Sequence, residues 1–347
     1  MIRASAPGRC GIIGNPTDMY GGSVLSCTIP QRAYVTIAPA DTLTLETNGE
    51  TRRPRQRSDF RLQDDRFDIP RAVLSHLRLY DLGVRIAYTS DIPFRSGLSS
   101  STALLAAVLF ALQRYQGLIG NSNFEFRTSN RHHFAELARF IELNRLGIVC
   151  GYQDAYMVTF GGLNYMEFRD KEFYRHMDEE PYATIEPLTC SNPLPLIVAH
   201  TGVEHASGTV HKPIRERWLD GEAAVVEGYR RIERLAREGK RALLDSDWPR
   251  LGRLMNENHA IQRELGGSGP ANERLIAAAL AAGALGAKLA GAGSGGTIIA
   301  LHPQPQSLAP ALLAAGATFI LYPQPMPGVQ EEPVDEEQVD KEQVDKE

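Results

Sequence analysis

PFRSGLSSSTALLAAVLF (residues 93–110) passes within a few residues from a loop of glycine and hydroxyl side chains into an apolar run. The polar front is a helix-start signal, and the whole stretch predicts a strongly apolar helix over 97–117. The first amides of a helix have no intrahelical partners, and with the helix dipole they favour an anion. Four consecutive hydroxyls (Ser99, Ser100, Ser101, Thr102) can bond phosphate oxygens or sit on Mg2+. One hydroxyl is enough to cap a helix, so four exceed that need. The lysine of a Walker A loop is missing, which excludes that class of phosphate loop. A well-capped core helix is the simpler account, and the stretch alone leaves both open.

Short strands surround this segment. CGIIG and AYVTIA near the N-terminus, VRIAYTSDIP (84–93), LPLIVAHTGV (194–203), TIIALHP (297–303) and TFILYP read as strands. FAELARFIELNRLG (134–147) is an amphipathic helix, and residues 213–265 read as helices broken at Gly239 and near Pro249. NERLIAAALAAGALGAKLAG (272–291) reads as a helix ending in glycine. TRRPRQRSDFRLQDDRFD (51–68) reads as an exposed hairpin or loop whose arginines are solvated. Strands and helices alternate, which argues for α+β or α/β layering.

Composition narrows the function. The 347 residues are 43% apolar and 23% charged, enough for a sizeable core. No apolar run reaches the length of a membrane span, and the N-terminus lacks the apolar core of a secretory signal. The net charge of −5 is concentrated at the end of the chain, where residues 331–347 hold nine acids and two lysines. The remainder is near neutral with no broad basic face, so nucleic acid is not an expected partner. Four scattered cysteines form no C-x-x-C pair, which disfavours a zinc site or disulfide framework and suits a reducing, cytoplasmic setting. The repeat VDEEQ-VDKEQ-VDKE has no core-forming pattern and is expected to be a disordered acidic tail.

Two further segments are rich in glycine. KLAGAGSGGTIIAL (288–301) contains G-x-G-x-x-G as Gly291, Gly293 and Gly296. A strand follows these glycines where a dinucleotide fold needs a helix, so the match is a decoy. Glycines still let backbone approach a ligand closely. SAPGRCGIIGNPTDMYGG (5–22) places Arg9 nine residues before Asp18 in a loop shaped by Gly and Pro. Such a loop can present polar groups to a polyol.

In this order, SAPGR…GNPTD, P-x-x-x-GLSSSTA and KLAGAGSGG resemble the three signature motifs of the GHMP small-molecule kinases, over roughly residues 3–325. GIVCGYQDAYMVTFGGLNYMEF (147–168) and SGTVHKPIRERWLDGE (207–222) further resemble the glucuronokinase family, although other sugar kinases resemble the first of the two. The resemblance implies an α+β fold of two α+β domains, over 1–190 and 191–328, with the active site between them and the tail from 329. It implies ATP and Mg2+. Gly97, Ser99, Ser100 and Ser101 match the phosphate loop, and Gly291 and Gly293 the third ATP-binding segment. Ser101 and Glu142 are the metal-contacting candidates. Asp154 matches the catalytic aspartate, which accepts the acceptor's proton or holds its hydroxyl. Arg9 matches a position filled by a cation that stabilises the alkoxide and the carboxylate. Asp18 matches a sugar-contacting aspartate. Asn15 and Pro16 stand where galactokinases carry Glu-His, which argues against galactose.

His211 lies inside the glucuronokinase-like stretch and is a substrate candidate. A uronate's carboxylate is best held by an arginine fork or by amides. Arg215 and Arg217, expected at the start of a helix, are candidates for it, with pairing to Glu216, Asp220 or Glu222 as the alternative. The expected reaction is phosphorylation of the anomeric hydroxyl of D-glucuronate by ATP. A kinase for another sugar (a uronate epimer, a neutral hexose or a heptose phosphate) and a non-catalytic ATP- or sugar-binding sensor are the rivals. The intact Asp154, Arg9 and Ser101 set disfavours the sensor.

Overall fold

Alternation in AYVTIA builds the far half of β2 (Ser23–Pro39), where Ala33, Val35 and Ile37 are buried and Tyr34, Thr36 and Ala38 are half-buried. The structure is a computed structural model that describes residues 1–93, 95–119, 130–171, 181–190, 193–203, 207–291, 293 and 295–333, with backbone only for 207–212. β2 pairs antiparallel with β1 (Ile2–Ile13), every residue of which except Arg3 is buried. The other strands of this sheet are β3 (Thr44–Thr47), β4 (Glu50–Arg52), β5 (Val84–Ser90), β6 (Leu163–Glu167), β7 (Thr184–Pro187) and β12 (Gln330–Glu332). Their order is β12-β1-β2-β5-β3-β4, with β6 on β2 and β7 on β6.

Four helices accompany this sheet: α1 (Asp68–Leu77), α2 (Ser100–Leu118), α3 (Arg131–Asn144) and α4 (Gln153–Phe160). From Thr102 to Gln113 every residue of α2 except Leu104 is buried. A helix apolar all round must be enclosed, and α2 is enclosed between β1, β2 and the other helices.

The rest of the chain builds an antiparallel sheet of order β11-β8-β10-β9, from β8 (Leu196–His200), β9 (Gly286–Leu289), β10 (Thr297–Leu301) and β11 (Phe319–Leu321). Its helices are α5 (Ser207–Leu219), α6 (Ala223–Leu244), α7 (Trp248–Glu264), α8 (Pro270–Ala281) and α9 (Ala309–Ala314). Ile197, Ala199 and Ile298 form a core with Leu275, Ile276 and Leu312 from α8 and α9. α6 packs on β1 and β2, and α7 on β1 and β9, so these two helices join the sheets. The architecture is α+β.

Three sequence expectations are corrected. α6 runs unbroken through Gly239, because that glycine admits Ile13: a Cβ there would lie 2.8 Å from Ile13 Cγ2. The predicted 272–291 helix ends at Ala281, and Gly283 turns the chain at φ +98°. Residues 286–289 then pair with β10, so tertiary pairing overrides the helix propensity of an Ala/Leu-rich run. The third glycine segment therefore joins two strands. Finally, residues 329–333 are not tail. Val329 is buried, β12 pairs with β1, and Glu331 bonds Arg114 at 2.9 Å. Arg32 donates to the carbonyls of Pro327 (2.7 Å) and Gly328 (2.8 Å). Residues 334–347, the remainder of the expected tail, lie outside the described residues.

These contacts define a truncation result. A chain ending at Pro333 keeps its melting midpoint and activity, since the deleted residues hold seven acids against two lysines and only three apolar side chains. A chain ending at Gly328 loses a strand and a buried valine, and its midpoint falls by about 5 °C or more. Thermal melts of both truncations check this.

Candidate active site

β1 slips in register against β2 between Pro7 and Arg9 and again between Gly11 and Ile13. In that stretch the Arg9 amide donates to Leu98 O at 3.1 Å, and the Gly11 amide to Ala290 O at 2.9 Å. The three glycine-rich segments therefore meet on one strand. Gly291 backs onto Gly97, where a Cβ would sit 2.6 Å from the Gly97 carbonyl oxygen. Only glycine permits that approach.

A cleft of about 1160 Å3 opens over this junction. It brings together Arg9, Asn15, Asp18, Gly97, Ser99, Ser100, Ser101, Glu142, Asp154 and Gly291. That volume suits a nucleotide and a small acceptor held side by side.

Asp154 sits in the first turn of α4 with its side chain one-quarter exposed. Arg9 donates to its Oδ1 through Nε at 2.7 Å and through Nη2, and to the Gly97 carbonyl through Nη1 at 2.8 Å. One guanidinium thus fixes the carboxylate against the glycine–serine loop. Charge-assisted bonds of this kind are about twice as strong as neutral ones.

Asp18 is buried, and its Oδ2 accepts from the amides of Tyr152 (2.7 Å) and Gln153 (2.9 Å) at the start of α4. Burial raises its carboxyl above the usual range, and the Asp154 charge adds to this. Gly151 is required here, because any Cβ would fall on the Asp18 carboxylate. Gly151 opens GYQDAY, but its neighbour Asp18 is 133 positions away and no local signal reveals the contact.

None of the four hydroxyls caps α2. Its N-cap Ser99 has φ +65°, makes no capping bond, and its buried Oγ has no hydrogen-bond partner. Ser100 Oγ reaches Ile92 O at 3.4 Å. Ser101 Oγ donates to Glu142 Oε1, and Thr102 Oγ1 to Glu142 Oε2, both at 2.7 Å. The capped-helix reading fails, and α2 turns an uncapped N-terminus toward the cleft. An anion there would receive amides, dipole and the Ser99 hydroxyl.

Glu142 is fully buried, which raises its carboxyl to about 7; the bonds from Ser101 and Thr102 oppose this and the Asp154 charge adds to it. A hydroxyl and a desolvated carboxylate side by side at the phosphate end are the hard oxygen donors that Mg2+ takes together with phosphate oxygens. In the sequence Thr102 is only one member of the hydroxyl run. Its separate role of holding the second carboxylate oxygen depends on α3 lying alongside α2.

Other sequence candidates lie elsewhere. Gly293 packs against Gly267 and does not line the cleft. Arg215 and Arg217 fall in the last two turns of α5 and not at its start, so the dipole there disfavours an anion. Arg217 makes a two-pronged pair with Glu222, both bonds at 2.7 Å, and donates to Leu265 O at 2.9 Å. Neither arginine lines the cleft. The side chain of His211 lies outside the described residues. Among the described residues no helix is long and apolar enough to cross a membrane.

The chain is similar to known proteins. Residues 68–162 match the GHMP kinases N terminal domain, residues 240–321 match GHMP kinases C terminal, and residues 2–39 match the galactokinase galactose-binding signature. The chain is 30% identical over 327 residues to probable glucuronokinase 2 of Arabidopsis thaliana, covering 85% of this chain and 83% of that protein. It is 31% identical over 242 residues to mevalonate kinase of Thermococcus onnurineus, covering 68% and 65%. A D-glycero-D-manno-heptose 1-phosphate kinase from Bacteriodes thetaiotaomicron superposes with a TM-score of 0.70 at 21% identity, over 96% of this chain and all of that one. The three motifs meeting on one strand and these likenesses agree, and the chain belongs to the GHMP kinases.

Proposed function

We propose that this kinase transfers the γ-phosphoryl group of ATP to the anomeric hydroxyl of D-glucuronate, giving glucuronate 1-phosphate and ADP. The observation that carries the chemistry is the Arg9–Asp154 pair beside an uncapped helix N-terminus in one cleft. In this reading the α2 amides and the Ser99 hydroxyl hold the phosphates, and Asp154 aligns the acceptor hydroxyl in line with the γ-phosphorus. The transition state is largely dissociative, so Asp154 receives the proton late, as the new O–P bond forms. Arg9 keeps the Asp154 carboxylate oriented and stabilises charge on the acceptor oxygen. Asp18 sits on the acceptor side, and Asn15 lines the same loop. Ser101 and Glu142 are the residues to hold Mg2+, which when bound neutralises phosphate charge.

The likeness to a glucuronokinase over most of both chains supports the acceptor. The match of residues 2–39 to a galactose-binding signature favours a neutral hexose as the second reading. ADP release across a panel of uronates and neutral hexoses tests the choice. D-glucuronate is expected to give the highest kcat/KM, and a neutral hexose ahead by tenfold would reverse the assignment.

The described arginines that line the cleft are Arg9, Arg66 and Arg95. Arg217 is engaged by Glu222 and the Leu265 carbonyl. Arg217→Met is therefore expected to leave the KM for glucuronate within about threefold of wild type. A selective rise above tenfold for the uronate would return carboxylate recognition to α5.

A further inference from the structure

Lys288 lies in β9, three residues before Gly291, and is wholly buried. Its Nζ donates to Asn15 Oδ1 at 2.7 Å and to the Leu289 carbonyl. Among the described residues, the titratable groups that act on it are Arg9 and Cys10 from β1 and His259 from α7, none of them a carboxylate. Burial lowers its ammonium to about 7, with Cys10 opposing and Arg9 assisting, while burial pushes the Cys10 thiol up to about 12. A buried cation with no anionic partner is costly, and an apolar side chain of similar length often fits such a place at no loss of stability. Stability does not account for a lysine here.

Its partner does. Asn15 is gripped on both sides of its amide: Oδ1 accepts from Lys288, and Nδ2 donates to Gly291 O at 3.2 Å. One residue earlier, the Gly14 amide donates to Asn258 Oδ1 of α7 at 2.9 Å. Three residues later comes Asp18, bonded to the start of α4. Lys288, Asn15 and Gly291 thus form a strut between the 14–18 loop and the segment that backs onto Gly97.

We propose that Lys288 is a positioning residue for phosphoryl transfer, which through Asn15 holds the 14–18 loop and Asp18 in register with the phosphate-binding segment at a cost in stability. This rests on the reading of the 14–18 loop as the acceptor side of a kinase cleft.

Lys288→Met in the full chain is expected to raise the acceptor KM by about tenfold or more with the KM for ATP within about threefold. The melting midpoint is expected to stay within about 2 °C of wild type or to rise. Asn15→Ala is expected to give the same split, and the double variant to be no worse than the weaker single one. A fall in midpoint with unchanged kinetics, equal rises in both KM values, or additive effects would overturn the proposal. Should Lys288→Met fail to fold, Asn15→Ala carries the same expectations. Hydrogen exchange needs no acceptor: the amides of Thr17 and Gly22, bonded to Gly14 O and Thr17 O, should exchange at least about tenfold faster in the variants. Unchanged exchange removes the strut. If wild type phosphorylates nothing in the panel, the kinase reading of the loop fails, whereas faster exchange still identifies the strut.

Discussion

Asp154→Asn is expected to lower kcat by about three orders of magnitude while both KM values stay within about threefold. The amide keeps the size and shape of the carboxylate, so a hydroxyl and a nucleotide can still be seated. It cannot take the acceptor proton as the O–P bond forms. It also loses the charge that Arg9 grips through Nε and Nη2, so part of the loss is orientation. Arg9 stays tied to the Gly97 carbonyl, which limits damage to the loop itself. Steady-state kinetics with saturating ATP and sugar check the result. Turnover within threefold of wild type would remove Asp154 from the chemistry.

Glu142→Gln is expected to cripple the enzyme and yet stabilise the metal-free protein. The carboxyl is raised from 4.5 to about 7 by burial. Between those values the native state holds a proton that the unfolded chain has released, so stability falls as pH rises from about 4.5 to 7 and stays low above. Glutamine carries no charge to desolvate, and Ser101 and Thr102 can still bond its amide. In chelator at pH 8 the variant should melt several degrees above wild type, with the gap closing toward pH 5. With Mg2+ and ATP, kcat/KM should fall by about a hundredfold or more. Equal melting midpoints at pH 8, or activity near wild type, would contradict the role given to Glu142.

The parts of the site carried by short motifs were legible because their signals are local. A hydroxyl run before an apolar helix, and glycines at close approaches, can be read without knowing the fold. Glu142 follows from the family resemblance and not from a local signal, and the structure puts its carboxylate on Ser101. What escaped depends on partners distant in sequence. Gly239 reads as a helix break until Ile13 is known to press on it. The Ala-rich 282–291 stretch reads as helix until β10 takes it as a partner. VQEEP reads as acidic tail until Ser5, Arg32 and Arg114 supply the other half of its bonds. Arg217 is a different case: pairing with Glu222 was one of the two readings its sequence allows, and the structure shows that pairing. Lys288 sits in an apolar run that gives no hint of Asn15, 273 residues away.

The central claim is that this cleft phosphorylates a uronate at its anomeric oxygen. The most direct measurement is phosphorus NMR of the product formed from D-glucuronate, ATP and Mg2+ by the full chain. The account predicts a new phosphomonoester signal coupled to the anomeric proton, growing with ADP and growing about a thousandfold more slowly with Asp154→Asn. Unchanged glucuronate beside turnover of another alcohol, or phosphate on any other carbon, would contradict it.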